Sequence, residues 1–194
     1  MLLVLGLSAA QAQDDELLPE SSEEIQLEVL VFAFPGKGEG AELQPGVSAD
    51  IGTGTPLASS SDGQSESNGH YVELASNERK FTSAYARLAA SDQTRPLLFT
   101  AWRQALSDQR WVSIKSRDSN EVFGRVLLKP GKPLSVRVEL SYRGELAAID
   151  GQPPRSVEFR LRSTRPGHFS ETLYFDHPAF GTLVRIGEPG NPEP

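Results

Sequence analysis

Glu171-Thr-Leu-Tyr-Phe-Asp-His-Pro-Ala-Phe-Gly-Thr-Leu-Val-Arg-Ile186 sets two apolar runs on either side of an Asp176-His177-Pro178 corner. Proline fixes its own φ and pushes His177 toward extended backbone, so the corner joins two strands rather than continuing a helix. Gly181 then allows a sharp bend or a close backbone approach before Thr182 to Ile186. Neighbouring residues on a strand point to opposite sides, so Asp176 and His177 make no catalytic hydrogen bond unless the corner bends them together. The reading is structural: Asp176 accepts backbone N–H groups at the turn and His177 packs beside Pro178.

Working back from this corner, strand patterns dominate. Val157, Phe159 and Leu161 alternate with Glu158, Arg160 and Arg162. Leu134, Val136, Val138, Leu140 and Tyr142 alternate with Ser135, Arg137, Glu139, Ser141 and Arg143. Each of these strands has one wet face. The second pairs with Phe123 to Lys129 across a Pro130-Gly131 turn. Leu97 to Arg103 and Ile25 to Phe34 are apolar on both faces and read as buried strands, with Gln26 and Glu28 marking an exposed entry. The spacing predicts one helix over 77–90, capped by Ser76, with Phe81, Tyr85 and Leu88 on one face. The fold expected is α+β: a single domain, 25–187, with a mainly antiparallel β-sheet, one principal helix packed on one face, and a long disordered loop. That loop is the insertion 37–70, rich in Gly, Ser and Pro and too poor in apolar residues to order itself.

The formal charge of −7 hides an asymmetry. Residues 1–94 carry 4 Lys+Arg against 15 Asp+Glu, while residues 95–187 carry 15 against 9. A basic C-terminal half suits an anionic polymer. The chain has no cysteine, which excludes disulfides, thiolate metal sites and a lipid-modified N-terminal cysteine. Leu2 to Leu7 followed by Ala10-Gln11-Ala12 reads as a signal peptide over 1–12, its positive n-region clipped by a start placed too late. Residues 13–24 read as a flexible acidic leader and 188–194 as a disordered tail. No apolar run approaches the roughly 20 residues of a membrane span.

The segment Tyr174 to Val184 resembles the closing motif of the CsiV family of periplasmic peptidoglycan-binding proteins of Gram-negative bacteria. The opening strand Ile25 to Phe32, the Trp102-Arg103-Gln104 triplet and the hairpin from Gly124 to Tyr142 fit in order, leaving 37–70 unmatched. Where the family usually has two arginines ahead of the closing strand, this chain has Thr164-Arg165. The resemblance implies a periplasmic, non-catalytic peptidoglycan-binding protein. It also implies support of a class A penicillin-binding protein through an outer-membrane lipoprotein activator.

Arg160, Arg162 and Arg165, with Arg103, are candidates for binding stem-peptide carboxylates, because the guanidinium fork engages a carboxylate bidentately. Trp102 and Trp111 suit stacking on sugar rings, although the strand around Trp102 favours core packing. Gln104 completes the Trp102 triplet. Tyr174, Asp176, His177, Pro178, Phe180 and Gly181 form the structural motif. His70, His168 and His177 are too widely spaced for a zinc site, no nucleophile motif is present, and no cofactor is expected. Export makes nucleic acid an unfitting partner. The competing reading is a periplasmic protein–protein adaptor without glycan affinity, and an enzyme comes third.

Overall fold

A computed structural model describes residues 23–35, 51, 53–58, 71–117, 119–146, 153 and 155–190. The expected signal peptide and most of the leader lie outside these residues.

Among the described residues there are ten strands and one α-helix. In chain order they are β1 (Glu24–Ala33), β2 (Thr55–Ala58), β3 (Tyr71–Val72), α1 (Thr82–Ala89), β4 (Arg95–Ala105), β5 (Val112–Lys115), β6 (Val122–Lys129), β7 (Leu134–Leu146), β8 (Arg155–Gly167), β9 (Thr172–His177) and β10 (Phe180–Ile186). They form a four-stranded sheet in the order β4-β1-β10-β9 and a six-stranded sheet in the order β3-β2-β5-β6-β7-β8. Pairing is antiparallel except that β2 runs parallel to both β3 and β5. The inward rows of both sheets meet in one apolar cluster, with Ile25, Leu27, Val29 and Val31 from β1 and Val126, Leu128, Val136, Val138 and Leu140 from β6 and β7. Past β3, the Leu74 N–H donates to the Ala101 carbonyl at 2.8 Å and ties the end of one sheet to β4 of the other.

The fold is therefore essentially all-β with two sheets, not the expected α+β arrangement on one sheet. The helix is the reason. It has eight residues, too few to stand as a layer of its own. The expected 77–90 helix is broken into a 3-10 turn at Ser76–Glu78 and α1, with Arg79 extended between them (φ −83°, ψ 139°). Arg79 donates to the carbonyls of Leu74 (2.8 Å) and Phe99 (2.6 Å), which a continuous helix would forbid. Short as it is, α1 lies against β4, where Tyr85 stacks on Phe99 with centroids 5.6 Å apart.

Glu28 fastens this lid. The polar positions of β1 were expected at an exposed entry, but Glu28 is 1% exposed on the face of β1 opposite the core. Its Oε2 accepts the N–H groups of Lys80 (2.8 Å) and Phe81 (2.9 Å), and its Oε1 accepts from the Gln26 amide (2.9 Å). A strand carboxylate thus does the work of a helix cap, at the end of α1 where the dipole favours an anion.

The expected disordered loop also needs correction. Within 37–70, Thr55–Ala58 is a strand whose backbone pairs on both sides, and Leu57 packs against the core. A short run with one usable apolar side chain is enough when two strand edges supply its hydrogen bonds. The rest of that segment, apart from residues 51, 53 and 54, lies outside the described residues. In the expected tail, the Gly190 N–H donates to the Glu24 carbonyl at 2.9 Å.

The closing hairpin forms as read: β9 ends at His177, β10 starts at Phe180, and the two residues pair. Gly181 is needed for close approach. A Cβ there would sit 2.6 Å from Phe32 Cζ and 2.9 Å from Tyr174 Cε2, because those two stacked rings cover it.

Candidate functional site

Alternation on β6, β7 and β8 sends one residue set into the core and the other to the opposite face of the six-stranded sheet. Registers align that outer set: Ser113 opposite Arg125, Arg125 opposite Glu139, Glu139 opposite Arg162, Ser141 opposite Arg160 and Arg143 opposite Glu158. From β5 to β8 the face carries Lys115, Arg125, Lys129, Arg137, Arg143, Arg160 and Arg162 against Glu139, Glu145 and Glu158. The surplus is cationic.

The arginines are held, not loose. Glu139, 2% exposed, accepts from Arg125 (2.7 Å) and Arg137 (2.6 Å). Burial pushes its carboxyl up, but the two guanidiniums outweigh this and leave it below its ordinary value. Trp111, just ahead of β5, lies beneath the same pair, with its ring centroid 4.3 Å from the Arg125 Cζ and 5.4 Å from that of Arg137. Glu158 accepts from Ser141 Oγ (3.1 Å) and Arg160 (2.7 Å), with Arg143 at 3.8 Å and above the Phe123 ring. Arg162 is exposed and makes no ion pair among the described residues. Guanidiniums fixed by internal carboxylates and aromatic rings lose little entropy on meeting a further carboxylate.

The residues singled out from sequence separate into four places. Arg160 and Arg162 belong to this face. Arg165 does not: β8 runs unbroken to Gly167, so Arg165 falls on the other side of the strand, above the Phe175 ring (5.8 Å). Trp102 and Gln104 are buried in the core, where the indole N–H donates to Gln104 Oε1 (2.9 Å), so the Trp102 ring offers no face to a sugar. Arg103 is exposed on the other sheet and pairs with Glu78 (3.2 Å). Alternation alone could have placed Arg125, Arg137 and Arg143 beside Arg160 and Arg162. Their clustering with Trp111 needs the strand order β5-β6-β7-β8.

A second charged group lies at the Trp111 end. Asp108 accepts from the Tyr71 hydroxyl and from Arg110 (2.6 Å). Arg110 chiefly, with Tyr71 helping against burial, holds its carboxyl down to about 2.

In the closing motif the roles differ from those expected. Asp176 accepts from the Tyr174 hydroxyl (2.7 Å), and burial with this bond pushes the phenol up to about 12. The turn amide of Ala179 donates instead to His177 Nδ1 (3.1 Å), and the imidazole stacks on Phe180 at 4.9 Å. Pro178 forms the two-residue turn with Ala179.

Burial holds His177 below its ordinary value near 6.5, with the Asp176 charge pulling the other way. The unfolded chain therefore binds more protons than the folded one at acid pH. The stability contribution is complete above about 6.5 and is lost as pH falls below it toward the lower folded value. Unfolding by urea near pH 7 and near pH 5 should show a smaller pH dependence for His177→Asn than for the wild type. An identical dependence would place the titrating group elsewhere.

The family model described as "Peptidoglycan-binding protein, CsiV" matches residues 7–189. Comparison with curated proteins and with solved structures gives no match. Among the described residues no helix is long and apolar enough to cross a membrane.

Proposed function

This chain belongs to the CsiV family of peptidoglycan-binding proteins, and from that premise we propose that it binds the polymer through the outer face of β5 to β8, without catalysis, in the periplasm. The observation that carries this reading is the cationic cluster of Arg137, Arg143 and Arg160, ordered by Glu139 and Glu158, with the exposed Arg162 beside them and Trp111 at the flank. Peptidoglycan stem peptides present carboxylates at short, regular spacing. Strands lie about 4.8 Å apart, so crossing from β5 to β8 covers about 14 Å, close to the reach of four extended residues at about 3.4 Å each. A stem peptide laid across the strands passes guanidiniums on β6, β7 and β8, set among Ser141, Glu139 and Glu158.

The acid–histidine pair of the closing hairpin fits a structural role, since the His177 ring accepts the turn amide and Asp176 accepts from Tyr174. Support of a class A penicillin-binding protein through an outer-membrane lipoprotein activator follows from the family resemblance and belongs to the same proposal. Purified sacculi test the central claim. The protein alone should be retained at low salt and released as salt rises, because the contacts are exposed charges. Absence of retention would favour the adaptor reading.

A further inference from the structure

The sheet face ends, beyond β5, in an open-sided cavity of about 550 Å³ lined by Thr53, Thr55, Pro56, Gln109, Arg110 and Trp111. Its position follows from the topology. The parallel pairing of β2 with β5 brings the 53–56 segment alongside Trp111, whose carbonyl accepts the Thr55 N–H at 2.7 Å. Gly54 permits the approach, since a Cβ there would lie 2.7 Å from that carbonyl oxygen, and its N–H donates to Ser113 Oγ at 2.8 Å.

The chemistry of the lining differs from that of the arginine rows. One wall is a large aromatic ring, part-exposed and fixed by Arg125 and Arg137. The rest supplies small neutral polar groups. The hydroxyls of Thr53 and Thr55 and the Gln109 amide make no side-chain hydrogen bond among the described residues. The charge of Arg110 is already spent on Asp108. An apolar ring beside uncommitted hydroxyl and amide groups suits a ligand with a C–H face and neutral donors and acceptors. A carboxylate would have to compete with Asp108 for Arg110, the cation of this lining.

We propose that this cavity is a sugar subsite taking an N-acetylated hexose, so that the glycan strand sits at Trp111 while its stem peptide runs across the arginines. This rests on the peptidoglycan reading above and assigns the two chemical halves of the polymer to two ends of one face. The hexose ring packs against the part of the indole that Arg125 and Arg137 do not cover, and its acetamido group meets the Gln109 amide.

The probe is the β-1,4-linked tetramer of N-acetylglucosamine, which has acetamido sugars and no carboxylate. Trp102 and Trp111 are the chain's two tryptophans, and Trp102 is fully buried. The two indole N–H resonances of the full-length chain therefore report separately in proton–nitrogen correlation spectra. Millimolar tetramer should move the Trp111 resonance saturably, leave that of Trp102 in place, and do so equally at low and high salt. Trp111→Leu should weaken binding about tenfold, the loss of one aromatic stacking contact of about 1.4 kcal/mol. Gln109→Ala changes an exposed side chain and keeps the ring, and it should weaken binding several-fold with an unchanged melting temperature. If the tetramer leaves Trp111 unmoved while sacculi retain the protein, the sugar subsite is overturned and the wider reading stands. If the tetramer moves Trp111 while sacculi do not retain the protein, the subsite stands and the arginine face is overturned.

Discussion

Glu28→Ala should lower the stability of the fold by about 3–5 kcal/mol and its melting temperature by roughly 10 °C. The carboxylate is 1% exposed, and it is the acceptor for the N–H groups of Lys80 and Phe81 at the entry to α1. Alanine leaves the buried Phe81 N–H and the part-buried Lys80 N–H without their acceptor, and a buried loss of this kind costs about 1–3 kcal/mol. It also loosens α1, because an eight-residue helix has little stability of its own and depends on what anchors it. Glu28→Gln keeps the volume and one acceptor oxygen but turns an amide N–H₂ toward other donors, so it should cost about half as much. Urea unfolding measures both, and amide exchange at Lys80 and Phe81 localises the effect. A loss under about 1 kcal/mol for the alanine variant would mean that water takes over the carboxylate's bonds and that α1 is not anchored there.

The same residue shows why part of the fold was illegible. A polar residue in a strand reads as solvent-facing because burying a carboxylate without partners is prohibitive. The partners of Glu28 come from more than fifty positions away, at Lys80 and Phe81, and local pattern carries no trace of them. Alternation was reliable where one strand face meets water, and β6, β7 and β8 pair as their sequences indicate. The doubly apolar strands β1 and β4 were also correctly read as buried. Apolar character on both faces cannot say what covers the second face, which here is α1 and aromatic packing rather than a helical layer. Hence one sheet was expected and two are present. The strand at Thr55–Ala58 was hidden for a different reason: its backbone pairs with β3 and β5, which side chains do not record.

The candidate site was half legible for the same physical reason. Arg160 and Arg162 follow from alternation on a single strand. Arg165 lies only three residues past Arg162, but β8 continues in register to Gly167 and carries Arg165 to the opposite side. Of the two tryptophans, the one in the family-like triplet is core and the one beside a short strand is part-exposed. Burial depends on which residues lie across the sheet, and that is a property of topology.

Arg160→Gln with Arg162→Gln should weaken retention by sacculi about tenfold and flatten its dependence on salt, while Arg165→Gln should leave retention unchanged. Arg162 is exposed and without an ion pair among the described residues, so its fork is available to a ligand carboxylate. Arg160 is part-buried and held by Glu158 at 2.7 Å, so its charge is fixed on this face at low entropic cost. Exposed charge pairs are worth about 0–1 kcal/mol each, and bidentate guanidinium–carboxylate contacts lie at the upper end, so losing two costs about 1–2 kcal/mol. That is about a tenfold change in affinity. Melting temperature should move little, because neither side chain belongs to the core and Glu158 keeps Ser141 and Arg143 as partners. Lowering salt should restore less of the lost retention in the double variant than raising it removes from the wild type, since screening acts only on charges that are present. Equal retention of the double variant and the wild type, or a loss in Arg165→Gln instead, would move the polymer to the opposite side of β8.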